Sequence, residues 1–139
     1  MSIVKDIMTT NVLTAKTDTP FSEVVKVFTN SNINHLPITN SDGILRAIIS
    51  TTDVLAAIHE MDQFALNYNG FSLEKRLNVR DEMSSDVISI FDDAPIKHVV
   101  KLMIDNNIHA IPIVEEENVI GIITANDILK AIYSGEVKI

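Results

Sequence analysis

The chain has 139 residues, 46% of them hydrophobic, and carries a formal net charge of -8 at pH 7. This length and apolar content suit a globular protein with its own core, and the absence of cysteine excludes disulfides, thiolate metal sites and cysteine nucleophiles. The acidic balance argues against nucleic acid and anionic membranes as partners. Because no apolar run approaches the ~18 residues of a membrane span, we expect a cytoplasmic protein.

An internal repeat organises the chain. The segment from Val4, VKDIMTTNVLTAKTDTPFSEVVKVFTNSNINHLPI, returns from Val79 as VRDEMSSDVISIFDDAPIKHVVKLMIDNNIHAIPI, a period of about 75 residues. Each copy closes on an apolar run, a hydroxyl residue and an aspartate, IISTTD at Ile48–Asp53 and IITAND at Ile122–Asp127. Two copies predict two related sites.

Each copy begins with a short strand, expected at 11–15 and 86–90. Pro20 and Pro95 then predict the first position of a helix, where a missing N–H does no harm. Apolar residues at i, i+3, i+4 and i+7 give each helix one core face. These residues are Phe21, Val24, Val25 and Phe28 in the first copy and Ile96, Val99, Val100 and Met103 in the second.

The second half of each copy is predicted as two strands and a helix. A proline lies in the first of these strands, which predicts a strand start or a sheet edge. The expected strands are 36–38 and 44–49 in the first copy and 111–113 and 119–123 in the second, joined by polar turns at 40–43 and 115–118. The last helix starts at the hydroxyl residue and carries Val54, Leu55 and Ile58, or Ile128, Leu129 and Ile132, and Gly135 ends the second of them. Each copy is thus β-α-β-β-α, an α/β fold.

Residues 59–78 connect the copies and have no counterpart after Ile132. Their first half is expected to prolong the preceding helix, and 67–70 has the composition of a turn. Packing against the body is the expected role, with a lid or partner site as the alternative. We place a first domain with its connecting helix at 1–66 and a second domain at 67–139.

The closing motifs allow two interpretations. Ser50 with Asp53 and Thr124 with Asp127 have the spacing of a capping box, with Asp in place of the usual Glu or Gln. The same geometry also suits a ribose-phosphate site. Free amides at a helix N-terminus and a hydroxyl can hold a phosphate, while the carboxylate accepts hydrogen bonds from a vicinal diol.

Several motifs recur in the same order in both copies. They are the DxM start (Asp6 and Met8, Asp81 and Met83), the Thr-Pro or Ala-Pro helix opening, HLPI and HAIPI, and the closing IISTTD and IITAND. This pattern resembles the cystathionine-beta-synthase (CBS) domain family, over nearly the whole chain and as a tandem pair, or Bateman module. The resemblance implies two domains related by pseudo-twofold symmetry, with their sheets packed together and two clefts between them, and it implies a homodimer.

In that family the clefts often bind AMP, ADP, ATP or S-adenosylmethionine. The closing aspartate then holds the ribose hydroxyls, and the hydroxyl residue and helix amides approach the phosphate. Carried onto this sequence, one cleft contains Thr19, Asn34, His35 and Pro37 with Thr124, Asn126 and Asp127. The other contains Ser50, Thr52 and Asp53 with Ala94, His109, Ala110 and Pro112.

The two predicted clefts differ. Ala94 occupies the position that Thr19 has in the first copy, so its cleft has one hydroxyl fewer. Arg46 occupies the position that Ile120 has in the second copy, and its side chain is either a phosphate contact or a solvated charge. His35 and His109 are each a ligand contact or a structural residue. We expect unequal affinities, with the cleft that holds Asp127 the stronger.

These features predict a regulatory module that senses an adenosine-containing ligand and signals to an effector protein. The ligand is regulatory, and no cofactor or metal is required. Enzymatic activity is not expected, because no spacing suggests a nucleophile and its base. The alternatives are a structural dimerisation module without a physiological nucleotide, and a regulator that acts in trans on an enzyme.

Overall fold

The computed structural model describes residues 2–65 and 87–138, with only the backbone described for 60–65. The chain forms two compact units. We name them the first-copy unit, formed by Leu13–Asp42 and the described residues from Arg46 to 65, and the second-copy unit, formed by 2–12, Gly43–Leu45 and 87–138. The predicted domain boundary after residue 66 lies outside the described residues and stays a prediction.

The first-copy unit is a three-stranded sheet covered by two helices. Its elements are β1 (Ala15–Lys16), α1 (Phe21–Asn30), β2 (His35–Thr39), β3 (Leu45–Ser50, in this unit from Arg46 onward) and α2 (Thr51–Ala65). The strand order is β1-β2-β3, with β1 parallel to β2 and Ala15 opposite Ile38. Its core contains Phe21, Val24, Leu36, Ile38 and Ile49. Helix α2 runs to Ala65, which confirms that the start of the connector prolongs it; the turn expected at 67–70 lies outside the described residues.

The second-copy unit repeats this order of elements. It contains α3 (Ile96–Asn106), β4 (Ala110–Glu115), β5 (Asn118–Thr124) and α4 (Ala125–Tyr133). Strands β4 and β5 are antiparallel, with Ala110 opposite Thr124, and Ile90 forms a parallel bridge to Ile113. The fully buried side chains of its core include Val99, Ile111, Ile113 and Ile123. The predicted α/β class is confirmed.

The N-terminal segment belongs to the core of the second-copy unit. Val4 starts a single 3-10 turn, Val4–Asp6, and its side chain is 0% exposed among the apolar residues of that core. The backbone N–H of Val4 donates to the carbonyl oxygen of Ala94 at 2.8 Å, and that of Lys5 donates to Asp92 at 2.9 Å. Residues at the start of the first sequence copy therefore complete the unit that holds the second.

The DxM motif of the first copy has a structural role in this segment. The Asp6 carboxylate accepts the backbone N–H of Ile3 at 3.0 Å, which closes the 3-10 turn. Thr9 and Ile122 exchange two backbone hydrogen bonds of 2.9 Å. A Cβ on Gly121 would lie 2.9 Å from the Thr9 carbonyl oxygen and 3.0 Å from the Met8 sulfur, so glycine permits the close approach of this segment.

The polar turn between β4 and β5 is a tight one. Glu116 and Glu117 both have positive φ, 50° and 71°, as the two-residue hairpin turns that match strand twist require. The backbone at this turn also pairs with Ile44 and Leu45 of the same unit. The N–H of Leu45 donates to the Glu117 carbonyl oxygen at 2.9 Å, and Ile44 forms an antiparallel bridge to Asn118.

Three local predictions need correction. The strand expected at 11–15 is reduced to Ala15–Lys16, and the strand expected at 86–90 is represented among the described residues by the bridge at Ile90. Pro20 and Pro95 are the N-caps, one residue before each helix begins. A proline ring fixes φ near a value that suits both the N-cap and the first helical position, so the sequence could not show which of the two positions each proline occupies.

Pro37 also differs from its prediction, because β2 is the central strand of its sheet. The proline is tolerated because β1 pairs only with Ile38 and Thr39, beyond the missing N–H. The second copy uses the same solution. The carbonyl oxygen of Pro112 accepts the N–H of Ile90 at 3.2 Å. The proline nitrogen, which has no N–H, therefore lies where the backbone pairing between β4 and the segment of Ile90 begins.

Candidate functional site

The helix starts after β3 and β5 carry the same pair of reciprocal hydrogen bonds. The Ser50 hydroxyl accepts the N–H of Asp53 at 3.1 Å, and the Asp53 carboxylate accepts the N–H of Ser50 at 2.8 Å. At α4 the hydroxyl of Thr124 accepts the N–H of Asp127 at 3.1 Å, and the carboxylate of Asp127 accepts the N–H of Thr124 at 2.9 Å. The predicted capping boxes are therefore confirmed in both copies.

Capping leaves part of each carboxylate for other chemistry. The cap bonds use Oδ2 of Asp53 and Oδ2 of Asp127, and an ionised carboxylate has about four lone-pair sites on two oxygens. Both side chains are half-buried, in the first turn of a helix, where the macrodipole favours negative charge. Oδ1 of each aspartate takes no part in these cap bonds.

A backbone bond places another pair of predicted site residues beside these helix starts. The carbonyl oxygen of Asn34 accepts the N–H of Thr51 at 2.9 Å, and that of His109 accepts the N–H of Ala125 at 2.8 Å. Asn34 and His109 therefore occupy equivalent positions, and both side chains are exposed. His35 follows one residue later and is half-buried.

The difference between Thr19 and Ala94 affects the turn before each first helix. The Thr19 hydroxyl accepts the backbone N–H of Lys16 at 2.8 Å. Both turns are also closed by a backbone bond, from the N–H of Thr19 to the carbonyl oxygen of Lys16 at 3.0 Å and from the N–H of Ala94 to that of Phe91 at 3.2 Å. Ala94 has no hydroxyl and therefore lacks the additional bond. The Thr19 hydroxyl is thus a structural acceptor that still has a proton to donate to a ligand.

Each unit contains seven of the predicted site residues. The first-copy unit holds Thr19, Asn34, His35, Pro37, Ser50, Thr52 and Asp53, and the second-copy unit holds Ala94, His109, Ala110, Pro112, Thr124, Asn126 and Asp127. Thr52 and Asn126 are exposed, whereas Pro37, Ala110 and Pro112 are buried and present little side-chain surface. The grouping of these residues into two clefts stays a prediction. Arg46 is exposed on β3.

Sequence reasoning missed an apolar groove between α3 and α4 of the second-copy unit. The groove has a volume of about 500 Å³ and is lined by Ile104, Leu129 and Ile132 among others. These three side chains are 72%, 64% and 43% exposed. Leu129 directly follows the buried Ile128, so the apolar stripe of α4 is wider than its core face. The width of this apolar stripe is the feature of the sequence that indicates a second contact surface.

Two classes of site are absent from the part of the chain that the structure describes. Residues 2–65 and 87–138 contain no group of three or more His, Asp or Glu side chains arranged to hold a metal ion. Within the same ranges, every helix is too short or too polar to cross a membrane.

The fold and the helix starts together define a class of protein. It is a tandem repeat of β-α-β-β-α domains in which a hydroxyl-x-x-Asp box opens the last helix of each copy. A family model for the CBS domain matches residues 4–60 and 79–134. The chain belongs to the CBS domain family and contains two copies of that domain.

Comparison with known proteins gives relatives of two kinds. The chain is 30% identical over 129 residues to L-aspartate semialdehyde sulfurtransferase of Methanocaldococcus jannaschii, a match covering 92% of this chain but only 23% of the enzyme. It is 32% identical over 153 residues to an uncharacterized protein of the same organism, covering 94% of this chain and 90% of that protein. The domain pair thus occurs as a small part of an enzyme and as most of a shorter protein.

A solved structure shares the whole fold. The CBS domain pair of protein MJ0100, in complex with 5'-methylthioadenosine and S-adenosyl-L-methionine, superposes with a TM-score of 0.80 at 30% identity. The match covers 94% of this chain and 99% of that one. The predicted tandem CBS arrangement is therefore confirmed as a fold.

Proposed function

We propose that this chain is a regulatory module that binds an adenosine-containing ligand and signals to an effector protein. The observation that carries the proposal is the duplicated helix start. There Asp53 and Asp127 each use one carboxylate oxygen for the helix cap, and the other oxygen takes no part in the cap. A diol such as ribose donates two hydroxyls to such a carboxylate, and bonds to charged acceptors are the stronger ones. The adenosine ligands of the related MJ0100 pair support this assignment.

The charge of the chain favours some adenosine ligands over others. A net charge of -8 opposes the binding of polyphosphates, whose charge must be offset by local cations and helix amides. S-adenosylmethionine carries a sulfonium cation, and 5'-methylthioadenosine carries no phosphate. We therefore place these two ahead of AMP, and AMP ahead of ADP and ATP, as ligands of this chain.

Signalling by such a module requires that the ligand bind two states unequally. A ligand shifts the balance between states only by its difference in affinity for them, and an effector then binds the favoured state. We propose a homodimer as the form that does this. The second candidate function, a structural dimerisation module with empty clefts, is favoured by the exposed apolar groove on α3 and α4.

Two substitutions at Asp127 separate capping from ligand binding. Asp127→Ala removes the acceptor for the Thr124 N–H, and we expect it to lose about 1 kcal/mol of unfolding free energy. Asp127→Asn keeps an amide oxygen as a cap acceptor, so its stability should stay near that of the wild type. Both variants should weaken S-adenosylmethionine binding by roughly 10- to 150-fold, the equivalent of about 1.5 to 3 kcal/mol.

Calorimetric titration and thermal unfolding of both variants are the measurements. Asp53→Asn and Asp53→Ala provide the matched pair in the first copy, and we expect a smaller loss of total binding from them. Wild-type affinity in Asp127→Asn and Asp127→Ala would leave this carboxylate as a helix cap and favour the structural module.

A further inference from the structure

The turn before α3 has fewer internal hydrogen bonds than the equivalent turn before α1. In the first copy the Lys16 N–H donates to the Thr19 hydroxyl at 2.8 Å, and the Thr19 N–H donates to the Lys16 carbonyl oxygen at 3.0 Å. In the second copy Ala94 and Phe91 hold the positions of Thr19 and Lys16. Only the backbone bond is present there, at 3.2 Å. The turn that carries the predicted site residue Ala94 therefore needs another restraint.

The N-terminal segment of the chain supplies hydrogen bonds to this turn. We name residues 2–9 the N-terminal strap. The N–H of Val4 donates to the carbonyl oxygen of Ala94 at 2.8 Å, and the N–H of Lys5 donates to that of Asp92 at 2.9 Å. Both acceptors belong to the turn, so the strap fixes its backbone from outside.

The strap also holds the end of the turn where α3 begins. The carbonyl oxygen of Ser2 accepts the N–H of Ile96 at 3.2 Å, and Ile3 forms an antiparallel bridge to Pro95. The N–H of Ile96 is the first of α3 and has no acceptor within the helix. The strap thus provides the cap that the side chain of Pro95 does not provide.

The strap itself is anchored at both ends. Val4 is 0% exposed in the core of the second-copy unit. The exposed Asp6 carboxylate accepts the N–H of Ile3 at 3.0 Å and closes the 3-10 turn. Thr9 exchanges two backbone hydrogen bonds of 2.9 Å with Ile122 of β5. An anchored segment of this kind can hold the conformation of the turn that it contacts.

We propose that the N-terminal strap is the positioning element of the turn before α3, and that it supplies the restraint that the Thr19 hydroxyl supplies in the first copy. This inference rests on the proposed function, because it concerns the turn on which the predicted site residue Ala94 lies. A ligand binds only the fraction of chains in which its site has the binding conformation. Loosening the strap therefore lowers the apparent affinity of the site that contains Ala94.

Substitution of Asp6 tests the strap without changing the core. Asp6→Ala removes the acceptor that closes the 3-10 turn, and we expect the exchange rate of the Ala94 N–H to rise about fivefold, as for the loss of one capping side chain. Asp6→Asn keeps an amide oxygen as acceptor and should exchange at the wild-type rate. The Thr19 N–H makes the equivalent bond in the first copy, so its rate should not change in either variant.

A hydroxyl placed at residue 94 should make the turn less dependent on the strap. Ala94→Thr provides an acceptor for the Phe91 N–H, as Thr19 does for Lys16. In Asp6→Ala/Ala94→Thr the exchange rate at residue 94 should lie within about twofold of that in Ala94→Thr alone, because two groups that restrain one turn act non-additively. A strap that does not position the turn would give the same increase with and without this hydroxyl.

Amide exchange measured by NMR on the ligand-free full chain is the test, with circular dichroism to confirm folding. Val4→Ala is a second strap variant, which removes buried methyl groups. Unchanged exchange at Ala94 in both Asp6→Ala and Val4→Ala overturns the inference. So does an Asp6→Ala/Ala94→Thr variant whose rate rises over Ala94→Thr as much as Asp6→Ala rises over the wild type.

Calorimetric titration with S-adenosylmethionine gives the readout at the site. The Asp127→Asn background weakens the other predicted site. In that background Asp6→Ala should lower the affinity by up to the same factor of about five, and Ala94→Thr should restore it. Affinity unchanged by Asp6→Ala, despite faster exchange at Ala94, would contradict the role of the strap at the site. Absence of S-adenosylmethionine binding in the wild type, with the exchange results as expected, would instead contradict the proposed function and support the role of the strap in the turn.

Discussion

Replacing Val4 by aspartate should destabilise the second-copy unit by more than about 3 kcal/mol. Val4 is 0% exposed in the core of that unit, and a carboxylate there would be buried without a partner. Urea denaturation followed by circular dichroism measures the loss. Hydrogen exchange should locate it, with β4 and β5 losing protection first.

Thr10→Asp is the control for this substitution. It adds the same charge to the same segment, but at an exposed position, so its unfolding free energy should change by less than about 0.5 kcal/mol. Equal stability of Val4→Asp and Thr10→Asp would contradict the packing of the N-terminal segment into this core.

Truncating Phe21 to alanine should cost the first-copy unit about 3 to 5 kcal/mol. Phe21 is among the largest fully buried side chains and packs with Val24, Leu36 and Ile38. The loss combines the transfer of an aromatic ring to water with the cavity left behind. Thermal and urea unfolding of the full chain are the measurements.

Phe91→Ala removes the same ring from an exposed position. Phe91 is 62% exposed, so little apolar burial is lost and the urea midpoint should stay within experimental error of the wild type. If Phe91→Ala were as destabilising as Phe21→Ala, the assignment of Phe21 to the core would be wrong.

Local features of the fold could be predicted because local residues determine them. The apolar spacing on α1 and α3 gave one buried face each, and the buried Phe21, Val24, Ile96 and Val99 confirm it. The capping boxes also follow from four consecutive residues. Their reciprocal hydrogen bonds are present in both copies.

Features set by distant parts of the chain could not be predicted. Nothing near Val4 in the sequence indicates that its backbone pairs with Ala94 rather than within its own copy, because Ala94 lies about 90 residues further along the chain. Similarly, Leu55 and Leu129 have the helical spacing of core residues. Which side of a wide apolar stripe stays exposed depends on the neighbouring elements.

The candidate site was predictable to a similar degree. The motif spacing identified Asp53 and Asp127 and both of their possible roles. The structure adds that capping takes one oxygen of each carboxylate, so a capping role does not by itself exclude the proposed one. The Thr19 hydroxyl also accepts the backbone N–H of Lys16 within a turn. The sequence difference between Thr19 and Ala94 does not reveal this hydrogen bond.

Calorimetric titration of the wild-type chain with S-adenosylmethionine tests the central claim most directly. The proposed function predicts saturable binding, with 5'-methylthioadenosine also bound and ATP bound more weakly, because the net charge of -8 opposes a polyphosphate. Absence of binding by S-adenosylmethionine, 5'-methylthioadenosine, AMP, ADP and ATP at millimolar concentration would contradict the account and leave the chain as a structural module.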